Sequence, residues 1–300
     1  MVTTIILNMP EQTIIIDGTT FSTTENGLTL HISYIQSTSL QKGIFDNFVT
    51  LKRLHLINNK LTSLPEGIFD NLENLEYLSL SNNNFGSLSY NIFDKLVNLE
   101  ILNLSINLLT SLPEGIFNNL VNLEILNLSN NKLTSLPEEI FDNNRKLTRL
   151  NLSNNKLTSL PEEIFDNLVN LTRFYLFGNN LVSLNGIFNN LVNLEYLNIS
   201  NNNKLTSLPE GIFNNLVKLE DLSISYNNLT SLPLSLRNCR RLEMFYYDNN
   251  PIEYIPPQLQ RFLDRMENRA IQSISNDNQN VHDSAIQRSL NTSISNLLKE

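Results

Sequence analysis

The sequence predicts a repeat fold of the α/β type, a solenoid of stacked coils whose short strands line up as one parallel β-sheet, followed by a helical tail. Three observations predict it. Residues Leu123–Lys146 read LEILNLSNNKLTSLPEEIFDNNRK, and the residues from Leu147 read LTRLNLSNNKLTSLPEEIFDNLVN, nearly a copy. Self-similarity at a short fixed period marks units that bury a core only by stacking on one another. The apolar residues of L-x-x-L-x-L alternate, the period of a strand with one face inward. An Asn and a Phe then recur once in almost every unit.

Taken along the chain, residues 1–26 do not fit the unit. TIIID and FSTTENG read as strand pieces covering the first open end, an N-terminal cap with a polar outer face. Residues 27–50 form a degenerate unit that keeps Leu30, Ile32, Leu40, Phe45 and Phe48 but has Ile35 in the Asn place. Clear units open at Leu51, Leu75, Leu99, Leu123, Leu147, Leu171, Leu194, Leu219 and Leu242. The spacing is 24 residues up to Leu171, then 23, 25 and 23. The irregular steps come from LVSLNGIF, which lacks a Pro-Glu, and from an extra Asn in SNNNKL, changes that belong in loops. Leu126 and Leu128 point inward, and stacked units place strands ~4.8 Å apart on one side of the solenoid.

The Asn column (Asn59, Asn83, Asn107, Asn131, Asn155, Asn179, Asn227, Asn250) stands where the chain turns inward after each strand. There an amide satisfies buried backbone groups of its own unit and the next. Asn202 or Asn203 takes the place in the irregular unit. The Phe column (Phe45, Phe69, Phe93, Phe117, Phe141, Phe165, Phe188, Phe213) packs the opposite, convex side. The repeat region ends near residue 255. Pro256-Pro257 stops the pattern and a helix begins near Gln258, with Leu259, Phe262, Leu263 and Met266 on one face. A second helix is expected over 281–298, with Val281, Ile286, Leu290, Ile294 and Leu297 on one stripe. Residues 256–300 either cap the open end or offer this stripe to a partner.

The unit L-x-x-L-x-L-x-x-N-x-L-x-x-L-P-x-x-x-F-x-x-L resembles the leucine-rich repeat in its typical 24-residue form, over about residues 27–255. The resemblance implies a right-handed, horseshoe-curved solenoid, a protein-binding concave sheet and no cofactor. Extracellular members usually close both ends with disulfide-bonded caps. Cys239 alone builds neither, which points to a reducing, cytoplasmic setting, the host cytosol included. The units are longer than those of bacterial effector ligases, and a Cys-dependent catalytic domain of their kind is not expected. The tail ISNDNQNVHDSAIQRSLNTSISNLL looks like a segment that follows repeats in proteins of large DNA viruses. The Asn- and Ile-rich style suits an AT-rich genome of that kind or of an intracellular bacterium.

A net charge of −9 argues against nucleic acid and against an anionic membrane surface as partners. The start, MVTTIILNMPEQTIIID, lacks a basic stretch followed by a long apolar one, so no secretory leader is expected. No apolar run approaches the ~20 residues of a membrane span. A monomer is expected. Neither a phosphate loop nor HExxH nor GxSxG is present, so no motif places a general base. His31 and His55 should stack on adjacent strands, but two imidazoles make a poor metal site. Cys239 is a buried filler, or else a thiol activated by Arg240 and Arg241. No metal site and no catalytic residue is assigned.

Function should lie where the outward strand positions stop agreeing. The third-position column reads Thr29, Arg53, Tyr77, Ile101, Ile125, Arg149, Arg173, Tyr196, Asp221, Met244. The fifth reads His31, His55, Ser79, Asn103, Asn127, Asn151, Tyr175, Asn198, Ser223, Tyr246. From Leu171 onward both become aromatic and varied. Tyr175, an exposed Phe177, Tyr196, Tyr226, Met244 and Tyr246, with Arg149 and Arg173 beside them, are the candidate protein-binding residues. The plainer reading is that aromatics pair well across strands. Glu76, Glu100, Glu124, Glu195, Glu220 and Glu243 form an acidic second-position column, either a lure for a basic partner or a solvated flank balanced by Lys. The expected function is a non-catalytic scaffold gripping a protein on the concave face. An adaptor or effector recruiting a second protein through the tail is the alternative, and an enzyme the remotest one.

Overall fold

The computed structural model describes residues 11–24 and 27–266 of the chain. The expected helix over 281–298 and the tail resemblance lie outside them. Twelve strands form one sheet in chain order: β1 (Thr13–Ile16), β2 (Thr19–Thr24), β3 (Thr29–Ser33), β4 (Arg53–Ile57), β5 (Tyr77–Ser79), β6 (Ile101–Asn103), β7 (Ile125–Asn127), β8 (Arg149–Asn151), β9 (Arg173–Tyr175), β10 (Tyr196–Asn198), β11 (Asp221–Ser223) and β12 (Met244–Tyr246). From β3 onward each pair is parallel and each strand opens a new coil, so the expected repeat solenoid is the fold observed. The convex side is made of turns. Helix is confined among the described residues to a 3-10 turn at Leu234–Asn238 and to α1, residues 257–266, which falls in a second compact unit beginning at Pro256. In α1, Leu259 and Leu263 are buried and Phe262 and Met266 half-buried, while the remaining positions are exposed.

β1 and β2 form a hairpin, Ile16 opposite Thr19, joined by Asp17-Gly18 with φ of 51° and 75°. Positive φ at both central residues is the mirror-image turn that matches strand twist, and Asp-Gly suits it. β2 pairs antiparallel with β3, so the first strand of the parallel run presents no free edge on that side. The Asp17 carboxylate accepts the Gln36 and Ser37 N–H groups at 2.9 and 2.8 Å and the Ser37 hydroxyl. These bonds to Ser37 and Gln36 lower its pKa and tie the hairpin tip to the first coil.

From β5 to β11 the inward side of each strand carries one fully buried apolar residue, Leu102, Leu126 and Leu150 being in register across β6, β7 and β8. Beneath them the Phe column is buried throughout. Rings stack at 6.3 Å for Phe45 with Phe69 and at 5.9–6.5 Å from Phe93 through Phe165. The stack is then broken by Phe174, in a strand place that the other coils give to Leu, except the last, which has Phe245. Phe174 stands edge-on 4.7 Å from Phe165 and 6.2 Å from Phe188.

The Asn column is the internal seam. Asn131 donates through Nδ2 to Leu104 O and Leu128 O, both at 3.0 Å, and accepts Leu109 N–H on Oδ1 at 3.1 Å. Asn83 makes the same set with Leu56 O, Leu80 O and Leu61 N–H at 2.7, 3.0 and 3.2 Å. The bonds run to the preceding coil, not the next as the sequence reading had it, because each turn lies over the strand end of the coil before it. Asn202 fills the irregular place while Asn203 is exposed. Owing to the inserted residue, the Asn227 Oδ1 accepts Asn202 N–H instead, at 2.6 Å.

One place before this seam runs a column in the left-handed region: Asn58, Asn82, Ile106, Asn130, Asn154, Gly178, Asn201, Tyr226 and Asn249, with φ of 53–68°. Asn and Gly reach this conformation at least expense. Ile106 is β-branched and 50% exposed, so its strain is offset by no burial of the kind its inward neighbours enjoy.

Two outcomes follow for stability. Asn131→Ala strands three buried backbone groups at roughly 1 kcal/mol each and should destabilise by about 3 kcal/mol, measured by urea denaturation. Ile106→Asn relieves the left-handed strain and should stabilise by about 1 kcal/mol in the same assay.

Candidate functional site

Both outward columns assemble as registered rows. Arg149 lies opposite Arg173, Arg173 opposite Tyr196, Tyr196 opposite Asp221 and Asp221 opposite Met244. In the fifth column Asn151, Tyr175, Asn198, Ser223 and Tyr246 follow in turn. Six of the eight sequence-selected residues (Arg149, Arg173, Tyr175, Tyr196, Met244, Tyr246) therefore share one strand face across β8–β12. The other two stand beyond the strand ends. Tyr226 occupies the left-handed turn after β11 and is 51% exposed. Phe177 is half-buried, which corrects the expectation of full exposure, and its carbonyl accepts Asn154 N–H at 2.8 Å.

The fifth-position asparagines have a structural duty. Asn103, Asn127, Asn151 and Asn198 each accept, on Oδ1, the N–H of the residue two places on, Ser105, Ser129, Ser153 and Ser200, at 3.0 Å. That local turn bond ends the strand. Tyr175 and Tyr246 give it up, so their presence is not explained by strand termination. Tyr175 meets Tyr196 with ring centroids 4.8 Å apart, tilted by 37°. Asn198 Nδ2 donates to the Tyr196 hydroxyl at 3.5 Å, while Ser200 N–H and hydroxyl hold Asn198 Oδ1, which fixes the amide's orientation. The Tyr246 hydroxyl donates to Met244 Sδ at 3.5 Å.

Asp221 is the residue that the sequence reading passed over, although it stood in the third-position column. Set between Tyr196 and Met244, it is half-buried, and desolvation pushes its carboxyl up to about 6. Among the described residues its carboxylate has no hydrogen-bond donor and no ion-pair partner. Burial raises both phenol pKa values, and the charge of Asp221 raises them further, which places Tyr196 and Tyr246 within its electrostatic reach. Arg149 and Arg173, exposed and directly opposed, are also without a carboxylate partner among the described residues. Like charges opposite one another disfavour the sheet that carries them.

Elsewhere the chemistry is sparse. His31 and His55 stack at 4.0 Å and His55 leans on Tyr77 at 4.6 Å. No group of three or more His, Cys, Asp or Glu able to hold a metal occurs among the described residues. Cys239 is fully buried, and desolvation pushes its thiol up to about 12, so the adjacent arginines do not activate it. In the acidic column Glu76 alone forms an ion pair, with Lys52. Glu100, Glu124, Glu195, Glu220 and Glu243 are exposed and form no direct ion pair among the described residues, a solvated flank on which Lys146 and Lys218 stand near Glu124 and Glu195. A shallow flank depression of about 420 Å³ opens where Thr148 and Thr172 interrupt this column between Glu124 and Glu195; Lys146 and Lys218 line it with no nucleophile or base between them. No helix among the described residues is long and apolar enough to cross a membrane.

The family model described as leucine rich repeat matches in overlapping segments, 27–85, 49–109, 97–157, 121–181, 145–203 and 192–252. Among solved structures, the Toll–Spätzle complex of Drosophila matches at 27% identity and a TM-score of 0.65, covering 80% of this chain and 35% of that one. The chain thus spans about a third of that neighbour's length. A leucine-rich repeat protein of Leptospira interrogans matches at 25% identity and a TM-score of 0.53, covering 77% and 74% of the two chains. No curated protein matches.

One measurement isolates Asp221. Its folded pKa of about 6 lies above the ordinary 3.8, so the folded chain holds this proton more tightly than the unfolded chain. Its contribution is most favourable below pH 4, falls between about 4 and 6, and stays low above. Asp221→Asn should remove that slope and, after allowance for solvent screening at a half-exposed site, stabilise by about 1 kcal/mol at pH 7.5. Thermal melts of both proteins from pH 4 to 8 check it.

Proposed function

Because the chain belongs to the leucine-rich repeat family, we propose that it is a non-catalytic interaction scaffold that grips a protein partner on the outward, concave face of β8–β12. One observation carries the reading: after the repeated Ile and turn-forming Asn of β6 and β7 (Ile101, Asn103, Ile125, Asn127), the registered outward positions of β8–β12 bring together Arg149, Arg173, Tyr175, Tyr196, Met244 and Tyr246. Tyr and Arg supply large contact area with polar handles, the composition of binding hot spots. Met244 and Tyr246 keep 47% and 38% of their surface exposed, area that a partner would cover. The opposed Arg149 and Arg173 call for carboxylates on that partner. The Toll–Spätzle structure is a complex of two proteins, which supports the choice of ligand class for a fold of this kind. The absence of any assembled nucleophile, base or metal set among the described residues favours binding over catalysis. With its single cysteine the array is proposed to act as a monomer in a reducing, cytoplasmic setting.

Capture from a cytosolic extract, read by quantitative mass spectrometry, tests the reading. The intact chain is compared with an Arg173→Glu, Tyr175→Ala variant whose melting is unchanged. A true partner should be lost from the variant by about 30-fold or more, the effect of a single hot spot near 2 kcal/mol. Equal capture by both proteins would remove this face as the site.

A further inference from the structure

Resting on that reading of the face, we infer that the segment β10–β12 receives one cationic side chain of the partner, an Arg or Lys, with Asp221 as its counter-ion and Tyr196 and Tyr246 as aromatic walls. Asp221 stands in register between Tyr196 and Met244, half withdrawn from water, and no described residue neutralises it. The backbone does not require an acid here. The same column carries Ile101, Ile125, Arg149, Tyr196 and Met244 in the same strand geometry. An uncompensated carboxylate on a half-buried strand place is unfavourable for the free protein, and it gains most from a cation that arrives with the partner.

The surroundings select the same occupant. A phenol ring carries negative potential on its face and attracts a cation set against it, most strongly where water is displaced. The Tyr175–Tyr196 contact extends this aromatic surface toward β9. Glu195, Glu220 and Glu243 immediately precede the third-position residues of β10, β11 and β12, exposed and unpaired among the described residues, and deepen the negative potential along that edge. Arg173 lies two strands from Asp221, ~10 Å away, and repels a cation that strays toward β9. The face is therefore polar in sign: basic over β8–β9 and acidic over β10–β12. An anionic group is repelled by Asp221. A purely apolar group would cover the carboxylate without pairing it and meet the full penalty of burying a lone charge. The planar guanidinium of Arg, which stacks on aromatic faces and forms two parallel bonds to a carboxylate, satisfies both features at once.

Ring-labelled tyrosine NMR of the full chain tests this with four probes: N-acetyl-argininamide, N-acetyl-lysinamide, the uncharged N-acetyl-norleucinamide, and tetramethylammonium. The two cationic amides should move the Tyr196 and Tyr246 ring signals with Kd of about 1–10 mM, the scale of a single side-chain contact. Asp221→Asn, which keeps the fold, should weaken them at least tenfold, and norleucinamide should leave the rings still. Equal shifts from norleucinamide, unchanged binding to Asp221→Asn, or a response to tetramethylammonium alone would each overturn the inference. The same Asn variant in the capture experiment separates the two readings. If it holds the partner as well as the intact chain does while the Arg173/Tyr175 variant loses it, the binding face stands and the cation inference falls. If both variants hold it, the reading of the face has failed.

Discussion

Every coil of this molecule depends on one constraint: the chain turns back on itself inside the core at the end of each strand, and the backbone groups exposed by that turn have no water to bond. The buried Asn of each coil answers it. A single amide donates to two carbonyls and accepts one N–H, and in doing so binds its own coil to the one before it. Register follows from the same bonds, because a coil that slipped by one residue would leave three buried groups unpaired. The Leu and Phe columns supply the apolar burial, but they are tolerant of shape, as the edge-on insertion of Phe174 into the ring stack shows. The amide ladder tolerates less. Where an extra residue enters near Asn202, the Asn202 N–H becomes the donor to Asn227 Oδ1 and the ladder still closes.

With folding handled inside, the outward face of the sheet is released from structural duty, though not evenly. The fifth-position asparagines belong to the fold as much as the buried ones do, since each ends its strand with a local bond to the residue two places on. A column that looks like idle polar surface is thus a row of strand terminators. Tyr175 and Tyr246 break that row, Arg149 and Arg173 oppose like charges, and Asp221 sits half-buried beside aromatic rings. Each is a local choice that disfavours the free protein slightly, and all lie on five consecutive strands. Such a concentration of local compromises on one face is what supports proposing it as the binding surface.

Most of the candidate surface was legible in the chain because a strict 24-residue period converts sequence position into place on a strand. The two columns could be written down from the sequence, and the strands register them in that order. The reading failed where a side chain's environment, not its column, decides its role. Phe177 and Tyr226 were grouped with the strand face because they are aromatic, yet they stand two and three residues past strand ends, the first half-buried and the second in a left-handed turn. Asp221 stood in the third-position column without being singled out, since a column position records no burial. Its significance appears only with Tyr196, Met244 and Tyr246 around it, residues up to 25 positions away in sequence.

The sequence by itself determined the coil, its period, its inward Leu and Phe columns and the outward order of Arg149, Arg173, Tyr175, Tyr196, Met244 and Tyr246, since strand alternation and a constant repeat length leave those placements no freedom. Tertiary structure alone decided the direction in which the asparagine seam reaches, the burial of Cys239 that silences its thiol, and the lone half-desolvated carboxylate of Asp221. The physical reason is common to all three. Solvation and partner geometry depend on what neighbouring coils place within a few ångströms, and a one-dimensional pattern records spacing, not surroundings.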